Sequence, residues 1–195
     1  MNIGKSLFAA GAGLLATVAA AHAQFAPERQ ATRAVDAHEV VPAERQALVE
    51  QNGGATDRVV GGNYADPGEW PFQVALLRSD RLTGDRQSQF MAQFCGGTLI
   101  APEWVLTAAH CVYDFNAETP RPAGSATALV GSTNIMEGTR YDIAEVIVHD
   151  KWDPQSIDYD FALLRLATPV NAPVVRLDDG TAVTDRGAAT VVAGD

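Results

Sequence analysis

Leu106-Thr107-Ala108-Ala109-His110-Cys111 is the stretch on which the reading of this chain turns. A lone histidine in an apolar run is more often structural than catalytic. Its surroundings change that weighting. Upstream stands Phe94-Cys95-Gly96-Gly97-Thr98-Leu99-Ile100, and downstream stands Asp158-Tyr159-Asp160-Phe161-Ala162-Leu163-Leu164-Arg165-Leu166. Cys95 and Cys111 are the two cysteines of the sequence. In an exported chain such a pair is expected to form a disulfide, with two separate buried thiols as the other reading. A bridge would close a loop of about 15 residues, worth roughly 3 kcal/mol, and would pin His110 beside a strand end. A carboxylate placed directly before an apolar strand can be buried at the strand's mouth, where an imidazole N–H is a suitable partner. Either Asp158 or Asp160 could equally be a solvated turn residue. A metal is poorly served, because two cysteines make no cage and His110, adjoining Cys111, adds one ligand at poor spacing.

Working outward, the chain changes texture twice. Lys5, the apolar run Leu7 to Ala20 and the small-x-small triplet Ala21-His22-Ala23 read as a signal peptide over residues 1–23. The expected destination is secreted or periplasmic, and the run is too short and too poorly flanked for a good membrane span. Residues 24–58 hold six acids and four bases, with no aromatic after Phe25, and read as a partly helical or disordered pro-segment interrupted by Gly53-Gly54. From Val59 onward, short apolar runs alternate with Gly, Pro, Asp and Asn. Strands are expected at Phe72–Leu77, Phe94–Ala101, Trp104–Ala109, Thr127–Val130, Tyr141–Val148 and Phe161–Leu166, with a long polar loop over Arg78–Gln93. No segment there carries a helical period for ten residues or more. The fold class is therefore all-β, a sandwich or barrel. A net charge of −10 argues against a nucleic-acid or anionic-membrane partner.

Four ordered motifs make the chain resemble the chymotrypsin/trypsin-like serine proteases. Arg58-Val59-Val60-Gly61-Gly62 is similar to the family's activation site, with cleavage after Arg58 and Val59 as the new N-terminus. Phe94 to Leu99 is similar to its Cys-Gly-Gly-(Ser/Thr)-Leu strand, Thr107 to Cys111 to Thr-Ala-Ala-His-Cys, and Asp160 to Leu164 to Asp-(Ile/Phe)-Ala-Leu-Leu. Trp70-Pro71-Phe72-Gln73-Val74 and Gly131-Ser132-Thr133-Asn134-Ile135 are weaker landmarks. The resemblance implies that residues 59–195 begin a trypsin-like domain, with a first Greek-key barrel to about Leu177. It implies His110 as general base, Asp160 rather than Asp158 as the carboxylate that orients it, and Cys95–Cys111 as a paired position. It implies protein or peptide substrates and no cofactor.

The sequence also departs from the family pattern. The family's nucleophile stands in a Gly-Asp-Ser-Gly-Gly-Pro segment of a second barrel, and no such segment occurs in this chain. Ser79, Ser88, Ser125, Ser132 and Ser156 stand in no comparable context. Ala188 to Gly194 resembles the first strand of that second barrel, and Asp195 follows it. Ser132 occupies the place of the family's calcium-loop acid, so no bound metal is expected. The expectation is a truncated product that is inactive alone. The alternatives are a non-catalytic binding module, using the loops Arg78–Gln93 and Tyr113–Ala126, or one half of a split protease completed by a second barrel. Substrate preference would belong to the part of the family fold that these residues do not match.

Overall fold

The computed structural model describes residues 35–52 and 65–178. The signal peptide expected over residues 1–23, the cleavage site expected at Arg58 and Val59, and the strand expected over residues 188–194 lie outside the described residues.

Among the described residues, eight strands carry the fold: β1 (Gln73–Arg78), β2 (Gln93–Ala101), β3 (Trp104–Thr107), β4 (Tyr113–Asp114), β5 (Thr119–Pro120), β6 (Ala126–Val130), β7 (Thr139–Val148) and β8 (Ala162–Leu166). Six of them close into a barrel in the order β1-β2-β3-β8-β7-β6, with β6 pairing back onto β1, and β4 and β5 form a separate hairpin. Every pairing is antiparallel. The all-β reading therefore holds, and the six expected strands are displaced by only a residue or two at their ends.

The alternation of the sequence explains which face turns inward. In β8, Ala162, Leu164 and Leu166 are buried while Leu163 and Arg165 are only partly so, the period-2 signature of a pleated strand. Val74 and Leu76 of β1, Leu99 of β2 and Val105 of β3 meet these residues in the interior, all of them inaccessible to solvent. Closure removes the free edges that a six-stranded sheet would otherwise expose. The strand β6 is buried at all five positions, which period-2 burial cannot give alone. Its outward Leu129 is covered by a second cluster containing Leu77 and Ala92.

Ala92 comes from a segment expected to be a polar loop. Instead, Arg78–Gln93 contains a 3-10 turn at Ser79–Arg81 and a short helix, which we number α2 (Gln87–Ala92) because a longer helix, α1 (Ala37–Asn52), precedes it in the chain. Asp85 starts α2 by accepting the N–H of Gln87 on its carboxylate at 3.0 Å. The buried Gln89 donates to the carbonyls of Ile135 and Glu137 and accepts from Arg140, so its amide is satisfied inside the wall. Polar composition hid this packing because the partners lie roughly 50 residues away.

The helix α1 lies within the 24–58 segment, and Gly53-Gly54 follow its last residue in the sequence. It packs along β2 and against α2, and reaches the 3-10 turn Ala109–Cys111.

Candidate active site

Strand register brings the site together. Thr107, the last residue of β3, pairs with Ala162, the first residue of β8. An antiparallel pair puts the exit of one strand beside the entry of the other. His110 stands three residues past Thr107, and Asp160 two residues before Ala162. The two side chains therefore meet at one end of the barrel although 50 residues separate them.

Three constraints fix His110. It lies in the 3-10 turn Ala109–Cys111, between two buried neighbours, Ala109 and Cys111. Cys111 is bonded to Cys95 with 6.1 Å between Cα atoms, a separation ordinary for a disulfide. That result decides the cysteine question in favour of the bridge. The third constraint is Asp160, which grips His110 at two points. Its Oδ2 accepts from the ring Nδ1 at 2.7 Å, and its Oδ1 accepts the backbone N–H of the same residue at 2.9 Å.

This double contact has a chemical consequence. An ionised carboxylate can only accept, so the Nδ1 facing it carries the ring proton. Nε2 is then the basic nitrogen of the neutral ring. Its sulfur neighbour, Cys111 Sγ at 3.7 Å, is locked in the bridge and has no proton to give. The His110 side chain remains one-third exposed and Asp160 about one-fifth, so Nε2 can reach a group brought to the surface. A base held in one tautomer and one rotamer by a largely buried carboxylate is the arrangement that general-base catalysis requires.

The backbone before Asp160 is bent to aim it. The Phe161 N–H bonds to the Tyr159 carbonyl at 2.8 Å, so Asp160 sits at the centre of a three-residue turn. Ile157 and Tyr159 both have positive φ, 60° and 53°, which costs energy for side chains of that size. His149 steadies the bend by stacking flat on Tyr159 with centroids 4.9 Å apart and by meeting Phe161 at 4.5 Å. Sequence reasoning does not single out His149 or Tyr159. The available signal is their position flanking an apolar strand, and it identifies no partner. Asp158 is exposed, and its backbone bridges to Asp153.

The remaining candidates fall elsewhere. Four serines direct their hydroxyls to other partners: Ser79 to Thr127, Ser88 to the Asp85 carbonyl, Ser132 to Glu137 and Ser156 to Asp153. The ligand atoms of Cys95, His110 and Cys111 lie within 4.8 Å of one another, but the disulfide occupies both sulfurs and leaves one imidazole. That donor set is too poor for a metal. A cavity of about 610 Å³ is lined by Trp70, Gln73, Leu129 and Asn134, among others, and by neither His110 nor Asp160.

The chain is similar to known proteins. Residues 59–194 match the family model described as Trypsin. Serine protease SP24D of Anopheles gambiae is 37% identical over 137 residues, covering 70% of this chain and 46% of that protein. Brachyurin of Leptuca pugilator is 35% identical over 138 residues, covering 69% of this chain and 53% of that protein. The chain spans about half the length of these two curated relatives. Among solved structures, the VesB protease of Vibrio cholerae superposes with a TM-score of 0.51 at 30% identity, over 64% of this chain and 36% of that one.

Proposed function

The chain belongs to the trypsin family of serine proteases, and from that premise we propose that it supplies the general base and its orienting carboxylate, His110 and Asp160, to a peptide-hydrolysing site. The observation that carries this reading is the two-point grip of Asp160 on the ring and backbone of His110, at 2.7 and 2.9 Å. A structural histidine needs one hydrogen bond; holding both the tautomer and the main chain leaves Nε2 aimed and basic.

In this reading a serine hydroxyl reaches Nε2 and gives up its proton as it attacks the peptide carbonyl. His110 becomes an imidazolium, which the Asp160 carboxylate stabilises, and the proton then passes to the leaving amine. Water repeats the sequence to release the acyl group. The serine and the oxyanion-binding N–H groups come from a second barrel of the family type, which residues 1–195 do not supply. The base and carboxylate cannot replace such groups, since oxyanion donors alone contribute about 10²–10³ in rate each. The substrates are proteins or peptides.

Export and activation belong to the same proposal. Residues 1–23 act as a signal peptide and 24–58 as a pro-segment severed from the domain by cleavage after Arg58. No helix among the described residues is long and apolar enough to cross a membrane. An oxidising destination suits the Cys95–Cys111 bridge.

Asp160→Asn tests the assignment in the complemented enzyme, this chain plus a family second barrel bearing the serine. An amide can donate where the carboxylate accepts, which selects the wrong tautomer, and kcat should fall by about 10⁴ with KM little changed. A fall of less than about tenfold would remove Asp160 from the site.

A further inference from the structure

The helix α1 is not a bystander strung along the barrel. Its inward stripe is Ala37, His38, Val41, Pro42, Arg45 and Leu48, a spacing of three and four residues that marks one face of a helix. Ala37, His38 and Pro42 are buried, and Val41 packs against the cluster that contains Phe94, Cys111 and Val112. The edge of the His38 ring meets Phe94 at 4.8 Å. The barrel, in turn, offers polar groups matched to that stripe.

Three arginines make the match. Arg121 reaches Asp36, the residue whose carbonyl starts the helix, at 2.6 Å, and both side chains are less than one-fifth exposed. Arg45 of the helix donates to the carbonyls of Phe90 and Gln93 at 2.6 and 2.7 Å, and its guanidinium lies over the Phe90 ring. Arg78 of β1 pairs with Glu39 at 2.8 Å and also donates to the His38 carbonyl at 3.3 Å. That carbonyl has no helical donor, because the residue four positions on is Pro42, which lacks an N–H. The barrel thus satisfies a defect that proline creates in the helix.

We propose that the barrel wall beside the His110 turn is a helix-binding site, that α1 is its ligand, and that the helix stays bound after the chain is cut between Asn52 and Ala65. The inference extends the pro-segment reading: release of a new N-terminus would be separate from release of the helix. Most of the recognition is charge and hydrogen bonding to fixed groups, so docking does not depend on the covalent link, although the link raises the helix's effective concentration. The site is specific for an amphipathic helix with an acid at its start, a proline near its middle and an arginine beyond it.

The test uses the full exported chain with residues 55–58 replaced by the recognition sequence of a site-specific endoprotease. After cleavage and gel filtration at micromolar concentration, the N-terminal fragment should co-elute with the barrel. Arg121→Ala together with Arg45→Ala should weaken its retention about tenfold or more, while Arg165→Ala, in the exposed pair with Glu145, should not. A fragment that separates from the barrel in the unsubstituted protein, whatever the state of the barrel afterwards, overturns the proposal. Trypsin digestion of the natural chain, read by N-terminal sequencing, tests cleavage at Arg58 separately. A product that does not begin at Val59 would refute the processing reading and leave the helix site standing.

Discussion

At Gly97 a single hydrogen atom decides whether two strands can touch. A β-carbon built there would lie 2.7 Å from Val105 Cγ1 and 3.0 Å from the Leu106 carbonyl, inside contact distance on both sides. Thr98 pairs with Leu106 one residue further on, so the clash would push β2 from β3 beside the turn that carries His110. Gly97→Ala should therefore destabilise the barrel by about 1–3 kcal/mol, measured by urea unfolding. The same substitution at Gly96, whose β-carbon would meet the far end of the Gln73 side chain at 3.4 Å, should cost much less. Equal costs at the two positions would mean that the close approach at Gly97 is not what the glycine serves. Gly96-Gly97 is conspicuous in an apolar run, but only the register tells which glycine meets a neighbour. The choice of Asp160 over Asp158 has the same character. Both precede the strand, and family likeness favours Asp160. The physical reason is the turn at Tyr159–Phe161, which points Asp160 toward His110 and leaves Asp158 to bridge with Asp153.

Elements differ in how openly they declare themselves. The strands β1, β2, β3, β6, β7 and β8 are legible in sequence because burial on one face imposes a period of two, and turn residues bound each run. Neither helix is legible in its role. The residues that dock α1 include Asp36, His38 and Arg45, which read as solvent-facing or disordered because their partners lie roughly 40 to 90 residues away in sequence. The acids on this interface give α1 a pH dependence. Glu39 is held below its ordinary 4.5: burial alone would raise it, but hydrogen bonds from Arg78 and His38 outweigh that penalty. Asp80 is held below its ordinary 3.8, chiefly by its hydrogen bond from Arg78 and with help from the charges of His38 and Arg81. A carboxylate whose folded value is lowered contributes stability that is complete above its unfolded value and lost as pH falls through its folded one. Docking of α1 should thus weaken as the pH falls below about 4. Hydrogen exchange of the α1 amides, followed at each pH against those of β8, measures it. Protection of α1 that is the same at about pH 3 and about pH 6 would show that the Glu39–Arg78 pair does not hold the helix.

Over the whole molecule, the fold and the proposed base and carboxylate come from one principle, that antiparallel closure joins distant strand ends. The barrel places the exit of β3 beside the entry of β8, the Cys95–Cys111 bridge fixes the turn, and His110 and Asp160 need no further partner to find each other. The bridge spans 16 residues, so its chain-entropy contribution is about 3 kcal/mol, enough to matter in a small domain. What no such closure within these residues provides is a nucleophile, because every serine from Ser79 onward stands outside the family's nucleophile context. In the proposed reading, His110 is a base held ready for a serine in the family's nucleophile context, which residues 1–195 do not contain. Labelling with a fluorophosphonate, which reacts only with an activated serine, tests this most directly. The chain alone, before or after cleavage at Arg58, should take up no label. Mixed with a second barrel bearing Gly-Asp-Ser-Gly, it should confer labelling on that partner's serine, and His110→Ala should abolish it. Stoichiometric labelling of Ser79, Ser88, Ser125, Ser132 or Ser156 in the chain alone, lost in His110→Ala, would contradict it.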